Sequence, residues 1–120
     1  MKTAICSGAI LSALMAGSAW AHHSFAMFDN QQEKTVSGTL KELQWTNPHI
    51  WIQVIYRDPA TGKDEEWSIE GGSPNNLSRK GWSRNSMKVG DKVVVVIHPL
   101  KNGEKGGSLV KVTVNGQTLG

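Results

Sequence analysis

Thr35-Val36-Ser37-Gly38-Thr39-Leu40-Lys41-Glu42-Leu43-Gln44-Trp45 carries two phases of alternation within one stretch. Val36, Gly38 and Leu40 alternate with polar neighbours, and the apolar positions then move to Leu43 and Trp45. Successive side chains of a strand point to opposite faces, so a change of phase without a break requires an extra residue. The stretch therefore predicts one strand with a bulge or bend around Lys41-Glu42. Such a strand suits a small closed barrel, in which it must turn between two sheets.

The chain downstream supplies the other walls. Pro48 restricts Asn47 to extended or turn geometry, so Thr46-Asn47-Pro48 reads as a turn. A second strand is expected at His49 to Arg57, with Ile50, Ile52, Val54 and Tyr56 on one face and His49, Trp51, Gln53 and Ile55 on the other. Asp58-Pro59-Ala60-Thr61-Gly62 is a turn, followed by a third strand near Glu65 to Glu70 with Trp67 and Ile69 on one side. Ser73 caps a short helix from Pro74 to Lys80, Gly81 stops it, and Trp82 folds back onto the body. A fourth strand is expected at Lys92 to His98 and a fifth at Ser108 to Val114, before an Asn115-Gly116 turn and a tail. Three strands, a short helix and two strands give an all-β fold, a five-stranded OB-like barrel with one helix between strands 3 and 4. A two-sheet sandwich is the main alternative, and no internal repeat competes with either.

Upstream, Met1-Lys2 is a short positive start, and Ala4 to Ala19 is mostly small and apolar. Ala19-x-Ala21 matches the small-residue rule for signal cleavage, which predicts a secretory signal over 1–21 and a single domain over 22–120. The alternative, a membrane anchor, requires a longer and less interrupted apolar run. The only cysteine, Cys6, falls within the signal and too early for a lipoprotein site. The mature chain thus has neither a disulfide nor a thiolate metal site. A periplasmic protein without a stable membrane anchor is expected. Loss of Lys2 lowers the formal charge from +3 to +2. Arg79, Lys80, Arg84 and Lys88 cluster locally, but no recognition motif accompanies them; a solvated face is expected, and no nucleic-acid partner. Phe25, Met27 and Phe28 are placed to pin the new terminus to the body.

His22-His23-Ser24-Phe25, Trp45-Thr46-Asn47-Pro48-His49-x-Trp51-Ile52, and Gly72-Ser73-Pro74-Asn75 with Arg79-x-Gly81-Trp82 resemble a family of small exported bacterial proteins catalogued as a domain of unknown function. The likeness runs through nearly all of the expected mature chain. It implies a periplasmic single domain and carries no activity with it.

The chemistry must come from the side chains. As a mature first residue, His22 offers its α-amine and ring Nδ1 to one metal ion in a single chelate ring. A further imidazole completes a three-nitrogen site of the tetragonal kind that copper(II) accepts, as in the histidine brace of copper monooxygenases and carriers, which it resembles in this one residue. His49 is the first choice for that imidazole, His23 a local alternative, and His98 a weaker one. Met27 suits copper(I), although beside two phenylalanines it also reads as packing. Equally, the paired histidines could simply follow a cleavage site, and His49 could hydrogen-bond a turn. A rival reading dispenses with metal and uses an exposed aromatic face around Trp51 and Gln53 as a ligand- or protein-binding surface. Glu66 and Glu70 read as a solvated face opposite Trp67 and Ile69, Glu70 being the one carboxylate placed to neighbour a metal. With no nucleophile motif and no phosphate-binding loop, binding or delivery is expected rather than catalysis.

Overall fold

The structure, a computed structural model, describes residues 25–120. Strand β1 (Lys34–Gln44) pairs antiparallel with β4 (Lys92–Pro99) through its first half and with β2 (Trp51–Arg57) through its second. Both pairings meet at Thr39, which faces Lys92 on one side and Ile55 on the other. The register slips between Leu40 and Glu42, leaving Lys41 as the extra residue. Val36 and Leu40 are buried before the slip, while Leu43 and Trp45 pack against the core after it. The phase change in the sequence is thus a bulge in the strand that serves both sides of the barrel.

Strand β2 pairs with β3 (Asp64–Glu70), and β3 pairs in parallel with the start of β5 (Gly106–Val114), which runs antiparallel to β4. The circuit β1-β2-β3-β5-β4-β1 closes a five-stranded barrel and excludes the open sandwich. One feature exceeds the expectation. The stretch after Asn115-Gly116 is a short strand, β6 (Gln117–Leu119), folded back on β5. Asn115 and Gly116 have φ of 51° and 75°, the two left-handed residues of a type I′ hairpin turn.

Ile50, Ile52, Val54, Ile69, Val95, Ile97 and Val112 are fully buried and fill the interior. Helix α1 (Pro74–Arg79) starts where Ser73 Oγ accepts the Asn76 N–H at 3.2 Å, and Pro74 occupies its first turn. The helix buries Leu77, and Trp82 returns to donate its backbone N–H to the Leu77 carbonyl at 3.0 Å. Trp82 is buried there with Met87. At the start of the described chain, Phe28 is buried and bridges to Leu100, Asp29 N–H donates to Pro99, and the Met27 carbonyl accepts from Lys101. Residues 27–29 therefore continue the β1–β4 side of the barrel.

Candidate metal and ligand site

His49 lies in the β1–β2 loop, two residues before β2, so it does not open that strand as the alternation suggests. Its place is nevertheless fixed by the backbone. Thr46 Oγ1 donates to the His49 carbonyl at 3.0 Å, and the Asn47–Pro48 peptide between them is cis. Ile50 N–H donates to Gly72, and Gly71 N–H to Ile50, each at 2.9 Å, which carries the β2–β3 ladder past the end of both strands. Gly71 must be glycine for this closeness, since a Cβ there would lie 2.6 Å from Ile50 Cγ1.

This extended ladder puts the Gly71 carbonyl 3.0 Å from His49 Nδ1. A carbonyl only accepts, so Nδ1 carries the proton and donates it. Nε2 then faces the Glu70 carboxylate, 3.9 Å from Oε1, a gap too long for a hydrogen bond. The His49 side chain is 45% exposed, whereas that of Glu70 is only 12% exposed. Glu70 Oε2 is buried with no hydrogen-bond partner. The solvated role expected for Glu70 does not hold; Glu66 does fill it, half-exposed and paired with Lys41 at 2.9 Å.

Cross-strand register orders the rest of this end. Directly paired residues project to the same face of a sheet. His98 faces Ser108, Ser108 faces Glu70, Glu70 faces Trp51, and Trp51 faces Gln44. These five residues form one row around the outside of the barrel, each partly exposed, while Ile52, Ile69 and Ile97 beside them point inward. Trp51 is half-buried instead of openly exposed, and Gln53 Nε2 donates to Gln44 Oε1 at 3.4 Å. His98 is tied like His49, its Nδ1–H donating to the Gln32 carbonyl at 2.9 Å. It stands two strands from Glu70, about 10 Å by strand spacing. Met27 is partly buried.

His22, His23 and the expected cleavage site lie outside the described residues. Among the described residues no group of three His, Cys, Asp or Glu is placed to hold a metal ion, and no helix is long and apolar enough to cross a membrane. What the described chain brings together is the pair His49–Glu70, with Trp51 and Gln53 on the same side. The partnership of His49 with Gly71, 22 residues away, depends on strand register and has no local signal in the sequence.

No curated protein matches this chain by sequence. Among solved structures, the mitochondrial single-stranded DNA binding protein Rim1 of S. cerevisiae is similar in fold, with a TM-score of 0.54 at 8% identity, over 70% of this chain and 93% of that one. At that identity the likeness concerns the barrel alone. The model of a family of unknown function, DUF6152, matches residues 10–110, spanning the HHSF, WTNPH and GSPN motifs, and the chain belongs to that family.

Proposed function

We propose that the protein is an exported, periplasmic binding protein that holds copper(II) through the amine and imidazole of His22, as first residue of the mature chain, and the imidazole of His49. The observation that carries this reading is the state of the His49 ring. Its Nδ1–H is committed to a backbone carbonyl, which leaves Nε2 as the ring nitrogen that faces a largely buried carboxylate. Metal-binding histidines are oriented in this way, with the second nitrogen donating to a carbonyl or carboxylate. The location agrees, because OB barrels use the β2–β3 face and the β1–β2 and β4–β5 loops to bind ligands. Two residues, His23 and Ser24, lie between His22 and Phe25, a span of about 10 Å when extended. His23 and His98 are secondary choices, His98 because its own carbonyl link also leaves Nε2 open.

The protein's role is binding or delivery rather than turnover. A second reading rests on Trp51 and Gln53, which share the outer β2–β3 face and could receive an organic ligand or a protein without metal. Although the solved neighbour is named for single-stranded DNA binding, no nucleic-acid partner is proposed from a likeness of fold.

The test is copper(II) titration of protein processed in cells to start at His22, confirmed by mass, beside a control with one residue added before His22. Stoichiometric, tight binding lost in the control supports the amino-terminal chelate. Equal weak binding in both refutes it and leaves the Trp51 face as the place to seek a ligand.

A further inference from the structure

From Gly71 through Gly90 the sequence carries four cations, Arg79, Lys80, Arg84 and Lys88, and no Asp or Glu. The fold makes this stretch a cap on the barrel with two sides. Pro74, Leu77, Trp82 and Met87 are buried against the body, which leaves the residues between them on the outer side. All four cations are exposed there. None of them forms an ion pair; among the described residues the lysines and arginines that do are Lys41, Arg57 and Lys105. The backbone beneath the cations is held in place. Ser83 Oγ accepts the Asn85 N–H at 3.2 Å, Ser86 Oγ accepts the Ser83 N–H at 2.7 Å, and Gly90 N–H donates to Leu40 of β1 at 2.9 Å. The next acid along the chain, Asp91, turns its carboxylate to the Lys88 N–H at 2.8 Å and to the Asn115 amide. Beside Lys88, in the turn it forms with Gly90, Val89 stands 75% exposed.

We infer that this outer side docks the protein, peripherally and reversibly, on an anionic phospholipid surface. Cations without acidic partners attract phosphate-bearing headgroups, and each one near such a surface adds about fivefold to partitioning. Val89 supplies the apolar part of the contact, since its side chain leaves water when it enters the headgroup region. The same features disfavour a nucleic acid as occupant. Single strands bind through aromatic faces on which bases stack, and the one aromatic residue of the stretch, Trp82, is only 3% exposed. The docking residues do not include His49, Trp51 or Gln53, so the inference stands or falls apart from the binding site proposed above.

The experiment is co-sedimentation of processed protein with vesicles of phosphatidylglycerol mixed with phosphatidylethanolamine, and with vesicles of phosphatidylcholine alone, at low ionic strength. The native chain is expected to bind the anionic vesicles, to leave the zwitterionic ones unbound, and to be released at about 0.5 M salt, where the charges are screened. Arg79→Gln, Lys80→Gln, Arg84→Gln and Lys88→Gln together are expected to lower binding at least about a hundredfold. Lys63→Gln, Lys92→Gln, Lys101→Gln and Lys111→Gln together remove the same charge from exposed positions elsewhere and are expected to lower it less than about fivefold. Val89→Ser is expected to lose about fivefold while keeping the salt dependence. Because every substituted side chain is exposed, tryptophan fluorescence should report the native fold in each variant. Equal losses in the two fourfold variants overturn the inference. Native protein that leaves the anionic vesicles unbound, or that binds an oligothymidylate in preference to them, overturns it as well.

Discussion

Gly38→Ala is a sharp perturbation because it tests the point where β1 changes partners. Gly38 faces Val93 on β4, and the next residue, Thr39, faces both Lys92 and Ile55. A Cβ at residue 38 would press on the Ile55 carbonyl oxygen well inside contact distance and lie 2.8 Å from Val54 Cγ1. The oxygen belongs to the backbone of β2, and Val54 is fully buried, so neither has a flexible end that can swing aside. Relief requires β1 and β2 to part by about an ångström at the bulge, which weakens one or two ladder hydrogen bonds at about 1 kcal/mol each. Overpacking beside Val54 adds about 1–3 kcal/mol. Alanine recovers about 0.5–1 kcal/mol by restricting the unfolded chain. The net loss is about 2 kcal/mol, which for a domain of this size lowers the melting midpoint by roughly 8–16 °C. Urea unfolding followed by tryptophan fluorescence measures it, with Ser37→Ala at the exposed neighbouring position as control, expected within about 0.5 kcal/mol of native. Gly38→Ala indistinguishable from that control would refute the account of how the barrel bends.

Three further outcomes follow from the same structure. Ser73→Ala removes the acceptor for the Asn76 N–H and should cost about 1 kcal/mol in chemical denaturation, with glycine at the same position costing less. Ile52→Ala, at a fully buried barrel position, should cost about 2–5 kcal/mol, and a loss under 1 kcal/mol would mean that this wall is not packed as described. Gly71→Ala would set a Cβ 2.6 Å from Ile50 Cγ1 and shift the carbonyl that orients His49; it should weaken copper(II) binding in titrations even where circular dichroism shows the barrel intact.

Much of the barrel was legible because its signals are local. The slip from Val36-x-Gly38-x-Leu40 to Leu43-x-Trp45 located the bulge, and Ser73-Pro74 with Gly81, whose φ is +93°, marked both ends of the helix. Strand β6 reads as a tail in the sequence because three residues are too few to show a period, even though the Asn115-Gly116 turn before them is a clear local signal. The site was harder to read, since its features arise from register. Alternation places Glu70 on the face opposite Ile69 but cannot show that it pairs with Trp51 and Ser108 across the strands or that its side chain is only 12% exposed. Likewise, the spacing of His49 gave it a face, while its ring orientation comes from Gly71 across the ladder. Trp67 and Trp82 proved to be core, and Trp45 and Trp51 lie partly at the surface, a division that amino-acid type alone does not decide.

The proposed copper(II) site depends on His49 Nε2 supplying an imidazole nitrogen to an ion held by the mature amino terminus. The most direct measurement is electron paramagnetic resonance of copper(II)-loaded processed protein, with ligand hyperfine resolved, for the native chain and His49→Ala. A nitrogen-rich axial spectrum that loses one imidazole nitrogen in the variant is expected, with affinity falling alongside it. An identical nitrogen count and spectrum in the two proteins would contradict it.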